Sequence, residues 1–212
     1  MRASHTYIMT NTHEHHELQE QKAIEDKTML GFWIYLMTDC ILFSSLFATY
    51  AVLHGNTAGG PSGTQIFDLH FVLIETLVLL TSSFTCGLAM LITHHARKVS
   101  AKVSTISAWL CVTFVLGAIF LAMELTEFSR LIADGTGPQT SGFLSAYFSL
   151  VGLHGLHIFV GLIWIVTLLV YLWKRGLTPN MRRKLSVFGL YWHFLDLVWI
   201  FIFTIVYLYA HI

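Results

Sequence analysis

The sequence predicts an all-α membrane protein of five transmembrane helices, with its N-terminus cytoplasmic and its C-terminus periplasmic. Three observations predict it. Apolar residues make up 55% of the 212 and charged residues only 11%. Five apolar runs each reach the length of about 20 residues that a helix needs to cross the hydrocarbon core of a bilayer. Lys and Arg gather in alternate connections between those runs.

In chain order, residues 1–28 are polar and include "NTHEHHELQEQKAIEDK". They lack the apolar core of a secretory signal and read as a solvated cytoplasmic tail. Imidazole is a good transition-metal ligand, so "HEHHE" could scavenge a metal, but a solvated acidic-histidine run is the simpler reading. Residues 29–212 form the transmembrane domain, with spans at about 30–53, 69–92, 105–131, 143–173 and 185–209. Continuous apolar runs exclude the alternating pattern of a membrane barrel. The spans must therefore be helices, which satisfy their own backbone groups in lipid. The connections are far shorter than the roughly 50 residues of a folded domain. Those after the first and third spans, "HGNTAGGPSGTQIFD" and "IADGTGPQTSG", are rich in Gly and carry Pro61 and Pro138, so they read as compact turns. Ser82, Ser83, Gly87, Gly152, Gly155 and Gly161 are small residues that let helix backbones approach closely. Cys40, Cys86 and Cys111 each fall within a span without CxxC spacing and read as small apolar residues.

Orientation follows from the cations. Of the twelve, three lie in the tail (Arg2, Lys22, Lys27), three in the second connection (Arg97, Lys98, Lys102) and five around the fourth, "KRGLTPNMRRK". The first and third connections contain none; only Arg130 lies beside one. By the positive-inside rule the tail is cytoplasmic, and an odd number of spans puts "YAHI" on the other side.

The candidate functional residues are the ionisable groups inside the spans: Asp39, Glu75, His154, His157, His193 and Asp196, with Glu124 and Glu127 near an outer end. On insertion scales an Asp at the centre of a span costs at least about 2.5 kcal/mol, so these groups should face other helices. His154 and His157 are three apart and share a face with Gly161; His193 and Asp196 are also three apart and could hydrogen-bond along one helix. At about 1.5 Å per residue, Asp39 lies roughly 15 Å from the inner end of its span. A polar seam through the bundle results. It admits three uses: fastening the helices, handling protons, or ligating haem. Low-spin haem needs a His on each side of the iron. His154 and His157 would crowd one side, which leaves His193 as the opposite ligand. No Walker loop, GxSxG or HExxH occurs.

At "HGLHIFVG", "WHFLDLVWIFIFTIVY" and "GFWIYLMTDCILFSSLFATYAV" the chain resembles subunit III of the haem–copper respiratory oxidases, over about Leu30 to the C-terminus. Mitochondrial-type subunits III have seven helices, and this chain looks like a form lacking the first two. The five-helix form, "GNTAGGP" and "DGTGPQTSGFLSA" make it most similar to the subunits of bacterial cytochrome bo-type ubiquinol oxidases. In such a family Asp39 matches the buried carboxylate of the "TDC" segment, often Glu in relatives. Glu124 and Glu127 match an acidic pair, His154 and His157 the HGLH motif, and His193 and Asp196 the WHFLD motif. Glu75 departs from the mitochondrial pattern, which has an amide there.

The resemblance implies a subunit of the bacterial inner membrane with no catalytic, cofactor-binding or metal-ligating residue of its own. Haems and copper would belong to subunit I, on which this chain would pack, with subunits II and IV in the same complex. Phospholipids would sit in a cleft between its first two helices and the rest, and the subunit would protect sustained turnover and proton uptake. No nucleic-acid partner is expected. Two alternatives stand beside this reading: subunit III of a five-helix cytochrome c oxidase, and, in another class, a membrane cytochrome that binds haem b. A small proton-coupled transporter would show repeat symmetry and broken helices, and neither is visible.

Overall fold

The computed structural model of the chain describes residues 2–59, 63, 68–95 and 103–208; side chains are described at 19, 27–59, 63, 68–93 and 103–208. Among the described residues there is no strand. The helices are α1 (Arg2–Leu53), α2 (Leu69–His95), α3 (Val103–Ala133), α4 (Gly142–Arg175) and α5 (Pro179–Ile202), the last continued by a π-helical segment, Phe203–Leu208. Five stretches of them are long and apolar enough to cross a membrane: Lys27–Leu53, Leu69–Thr93, Val103–Ala133, Gly142–Arg175 and Pro179–Leu208. They agree in number with the five predicted spans, and the last begins at Pro179 where the sequence suggested about 185.

The ends lie where the side chains can replace missing backbone partners. Asp68 Oδ1 accepts from the His70 N–H at 3.1 Å and so caps α2. Ser141 caps α4 by accepting from the Leu144 N–H at 3.2 Å. Thr178 does the same for Met181 at the start of α5, with Pro179 in the first turn, where no N–H is missed. Gly176 ends α4 with φ of 67°, a conformation that a side chain disfavours, and its N–H reaches the Leu172 carbonyl at 2.9 Å.

The chain divides into two units, Met1–Asp39 and Cys40–Ile212. In the first, the backbone is helical from Arg2, so the polar segment 1–28 runs into the first span without a break. Leu36 and Asp39 are buried, whereas Trp33, Ile34 and Met37 are exposed.

In the second unit, α2 packs against α3 and α5, α3 against α4, and α4 against α5. The last turns of α1 join through Phe43 against the His157 ring, Phe47 against Phe201 and Tyr50 against Phe143. The π-helical segment leaves a carbonyl for an outside donor, and the Tyr50 hydroxyl approaches Val206 O at 3.4 Å. Lipid tails are as apolar as Leu, so packing in such a bundle rests on close van der Waals fit and interhelical hydrogen bonds. Trp192 shows the fit. Its indole, 1% exposed, lies where side chains on Gly117 of α3 and Gly161 of α4 would otherwise stand. The opposite surfaces of α3 and α4 expose Ile119, Leu125, Leu156 and Phe159 as a lipid-facing shell requires.

Candidate functional site

The polar seam lies inside the second unit and has two parts. Towards the end of the bundle that carries the first and third connections, Glu75 of α2 and Glu124 and Glu127 of α3 are all buried, at 0%, 2% and 4% exposure. Glu75 feels the charge of both other acids, so the three form one electrostatic cluster. Two tyrosines close it. The Tyr207 hydroxyl donates to Glu127 Oε2 at 3.3 Å and lies 2.9 Å from the Tyr147 hydroxyl. Tyr147 also reaches Glu127. Both carboxyl oxygens of Glu75 and one of Glu124 make no hydrogen bond to the described residues. An acid–phenol cluster can hold and pass protons among its members, and its hydroxyls fix the register of α3, α4 and the π-helical segment at the same time.

Glu124 reaches this place because α4 offers no side chain there. An ideal Cβ on Gly155 would lie 2.9 Å from the Glu124 carboxyl carbon. The small residues of the sequence thus include one that makes room for a buried acid.

The second part runs between α2, α4 and α5. His154 is fully buried, with its ring edge-on to Phe120 and against Trp199. Its Nε2 donates to the Leu195 carbonyl of α5 at 3.2 Å. His193, expected to face inward, is exposed at the edge of the seam; its Nδ1 lies 2.7 Å from Ser83 Oγ on α2, and Asp196 also hydrogen-bonds Ser83. The indoles of α5 follow the same rule: Trp192 Nε1 donates to Ser82 Oγ at 3.2 Å and Trp199 Nε1 to Thr76 Oγ1 at 3.0 Å. A buried indole or phenol keeps a polar tip that must find a partner, and these indole tips bind α5 to α2.

Several of the expected pairings take a different form. His154 and His157 do sit on neighbouring positions, yet they serve different partners. His157 is half-buried, its Nδ1 2.8 Å from Leu153 O on its own helix, while Tyr191 donates to the His157 carbonyl at 2.9 Å. His193 and Asp196 do not rely on each other alone, because Ser83 sits between them. Asp39 belongs to the first unit; it is buried and accepts a hydrogen bond from Tyr35, one turn back. The side chains of "HEHHE" lie outside the described residues. Among the described residues, no group of three or more His, Cys, Asp or Glu is gathered as a metal would need.

The seam also uses residues the sequence reading passed over, Tyr147, Tyr207, Thr76, Trp192 and Trp199, and gives Ser83, read only as a small residue, a polar role. The available signal was the polar tip on each aromatic ring. A buried Tyr or Trp in an apolar run needs a hydroxyl or carboxylate nearby.

A family model described as cytochrome c oxidase subunit III matches residues 6–211. The chain is similar to a Pseudomonas putida protein named cytochrome bo(3) ubiquinol oxidase subunit 3, at 58% identity over 181 residues, covering 85% of each chain. It is similar to the protein of the same name from Pseudomonas aeruginosa, at 56% identity, covering 85% of this chain and 84% of the relative. It is also similar to the quinol oxidase subunit 3 of Bacillus subtilis, at 48% identity over 180 residues, covering 85% of this chain and 86% of the relative.

Proposed function

Because the chain belongs to the cytochrome c oxidase subunit III family, we propose that it is the accessory subunit III of a proton-pumping ubiquinol oxidase, which oxidises quinol and reduces oxygen to water. Its identity of 48–58% to quinol oxidase subunits over 85% of its length supports the choice of donor. In this reading the chain sits in a bacterial inner membrane with its N-terminus cytoplasmic, as the placement of eleven of its twelve cations supports. It packs on subunit I, which carries the haems and copper, beside subunits II and IV. It retains phospholipid, keeps the complex assembled and sustains proton uptake.

One observation carries the non-redox role. His154, His193 and Glu127 each hydrogen-bond to a group on another helix, Leu195 O, Ser83 and Tyr207, which supports a role in joining helices.

The test is to purify the complex in mild detergent and identify what accompanies this chain. Subunit I should co-purify, quinol should be oxidised, and reduced cytochrome c should not. Turnover on cytochrome c would move the chain to the other oxidase class. A Soret band on the isolated polypeptide that survives stringent purification would make it a b-type cytochrome instead.

A further inference from the structure

Two hollows on the exposed apolar surface of the second unit join into one groove. One, of about 370 Å³, lies between α3 and α4 among Ala118, Ala122, Leu125, Phe159 and Ile163. The second, of about 440 Å³, continues along α4 past Val170 and Tyr171 to Lys174 and Arg175. Val166 lines both. From Lys174 to Phe159 is fifteen residues of helix, or about 22 Å at 1.5 Å each. One leaflet of a hydrocarbon core about 30 Å thick is shorter than that. The groove is therefore long enough for a complete acyl chain. Alanines at 118 and 122 deepen it where α3 would otherwise fill the space.

The charged mouth has an unbalanced sign. Arg175 of α4 lies 5.7 Å from the centre of the Tyr171 ring, and Lys184 of α5 lies 4.5 Å from the same centre. Lys174 lies beside them in sequence. Arg182 is drawn off to Thr93 O, and Arg183 to Asn180. The sequence contains no Asp or Glu from residue 142 to 195, nor from 76 to 123. Cations from two helices thus converge on one aromatic ring with no carboxylate on either neighbouring stretch to balance them. Basic pockets at the membrane interface recognise anionic head groups by this charge. The cleft implied by family resemblance lies towards the first two helices; this groove lies on α3 and α4.

We propose that the α3–α4 groove is a binding site for an anionic glycerophospholipid, whose phosphate lies among Lys174, Arg175 and Lys184 and whose acyl chain runs past Val166 to Phe159. The site would hold a lipid of defined charge on the outside of the subunit.

The test uses the whole purified oxidase complex in lipid nanodiscs. Two photoactivatable lipids are compared at equal mole fraction, a phosphatidylglycerol and a phosphatidylcholine, each with a diazirine near the end of the same acyl chain. Labelled residues are mapped by mass spectrometry. The phosphatidylglycerol probe should label 114–125 and 159–166 at least threefold more than the phosphatidylcholine probe, and the double variant Lys174→Gln/Arg175→Gln should abolish that preference. Equal labelling by both probes overturns the site, since it marks unselective boundary lipid. Cross-links from this face to a neighbouring protein helix, in place of lipid, also overturn it, as does a preference that survives in the double variant. The comparison of the two probes on the unaltered complex decides the matter if the variant fails to assemble.

Discussion

The carboxyl group of Glu124 fills the space that a side chain on Gly155 would need, so the buried acid of α3 and the glycine of α4 are one structural unit. Replacing Gly155 by Ala forces the carboxyl out of a pocket where it is 2% exposed. Overpacking a filled interior costs about 1–3 kcal/mol. We expect Gly155→Ala to lower the thermal midpoint of the purified complex, and Glu124→Asp in the same chain to recover part of the loss. A Gly155→Ala complex as stable as the parent would show that Glu124 has another place to go.

The Trp192 indole sets a harder limit, because a ring does not bend away. Ideal Cβ atoms on Gly117 and Gly161 would lie 2.8 Å and 2.7 Å from its carbons. Either Gly→Ala change should destabilise the bundle by about 1–3 kcal/mol. The two costs should not add, since moving one ring relieves both. Gly189→Ala is the control. Its Cβ would meet the flexible Met90 side chain, which can swing aside. Melting curves of the parent, the three single variants and the Gly117→Ala/Gly161→Ala double variant measure this directly.

Tyr207 joins Glu127 to Tyr147 through its hydroxyl. Tyr207→Phe keeps the ring and removes the bond, leaving a buried acceptor short of a donor at a cost of about 1–3 kcal/mol. A double-mutant cycle with Tyr147→Phe should give a coupling of at least about 0.5 kcal/mol. Additive losses would show that the two phenols act independently.

Asp39 carries the mechanistic expectation of a buried acid that holds the first span in place. Asp39→Asn or Asp39→Ala should leave the haem spectrum of the complex intact and shorten only its endurance under turnover. Oxygen consumption followed over repeated cycles, beside an optical spectrum, separates the two. Complete loss of oxygen reduction in a fully assembled complex would give Asp39 a direct part in proton delivery.

Much of this molecule is legible along the chain. Asp39, Glu75, Glu124, Glu127, His154, His157, His193 and Asp196 were marked as inward-facing by the cost of leaving them in lipid; six of the eight are buried, His157 is half-buried and His193 is exposed. The pairings were harder to read. A spacing of three puts His193 and Asp196 on one face of α5, but Ser83 comes from α2, about 110 residues away in the chain. Nothing in local spacing names that partner. The same holds for Leu195 O, the acceptor for His154, since every residue carries a carbonyl.

The sequence by itself determined the number of membrane-length helices and most of the groups that must be shielded from lipid. Those follow from short-range physics: a hydrocarbon core of fixed thickness and a 3.6-residue turn. The tertiary structure decided which groups meet. Sliding a helix along its axis, or setting the same inward face against a different neighbour, keeps its composition and its inward-facing residues while exchanging their partners. That choice was made by the fit of Trp192 against Gly117 and Gly161, of Glu124 against Gly155, and of Tyr207 against Glu127, contacts that exist only once the helices are side by side.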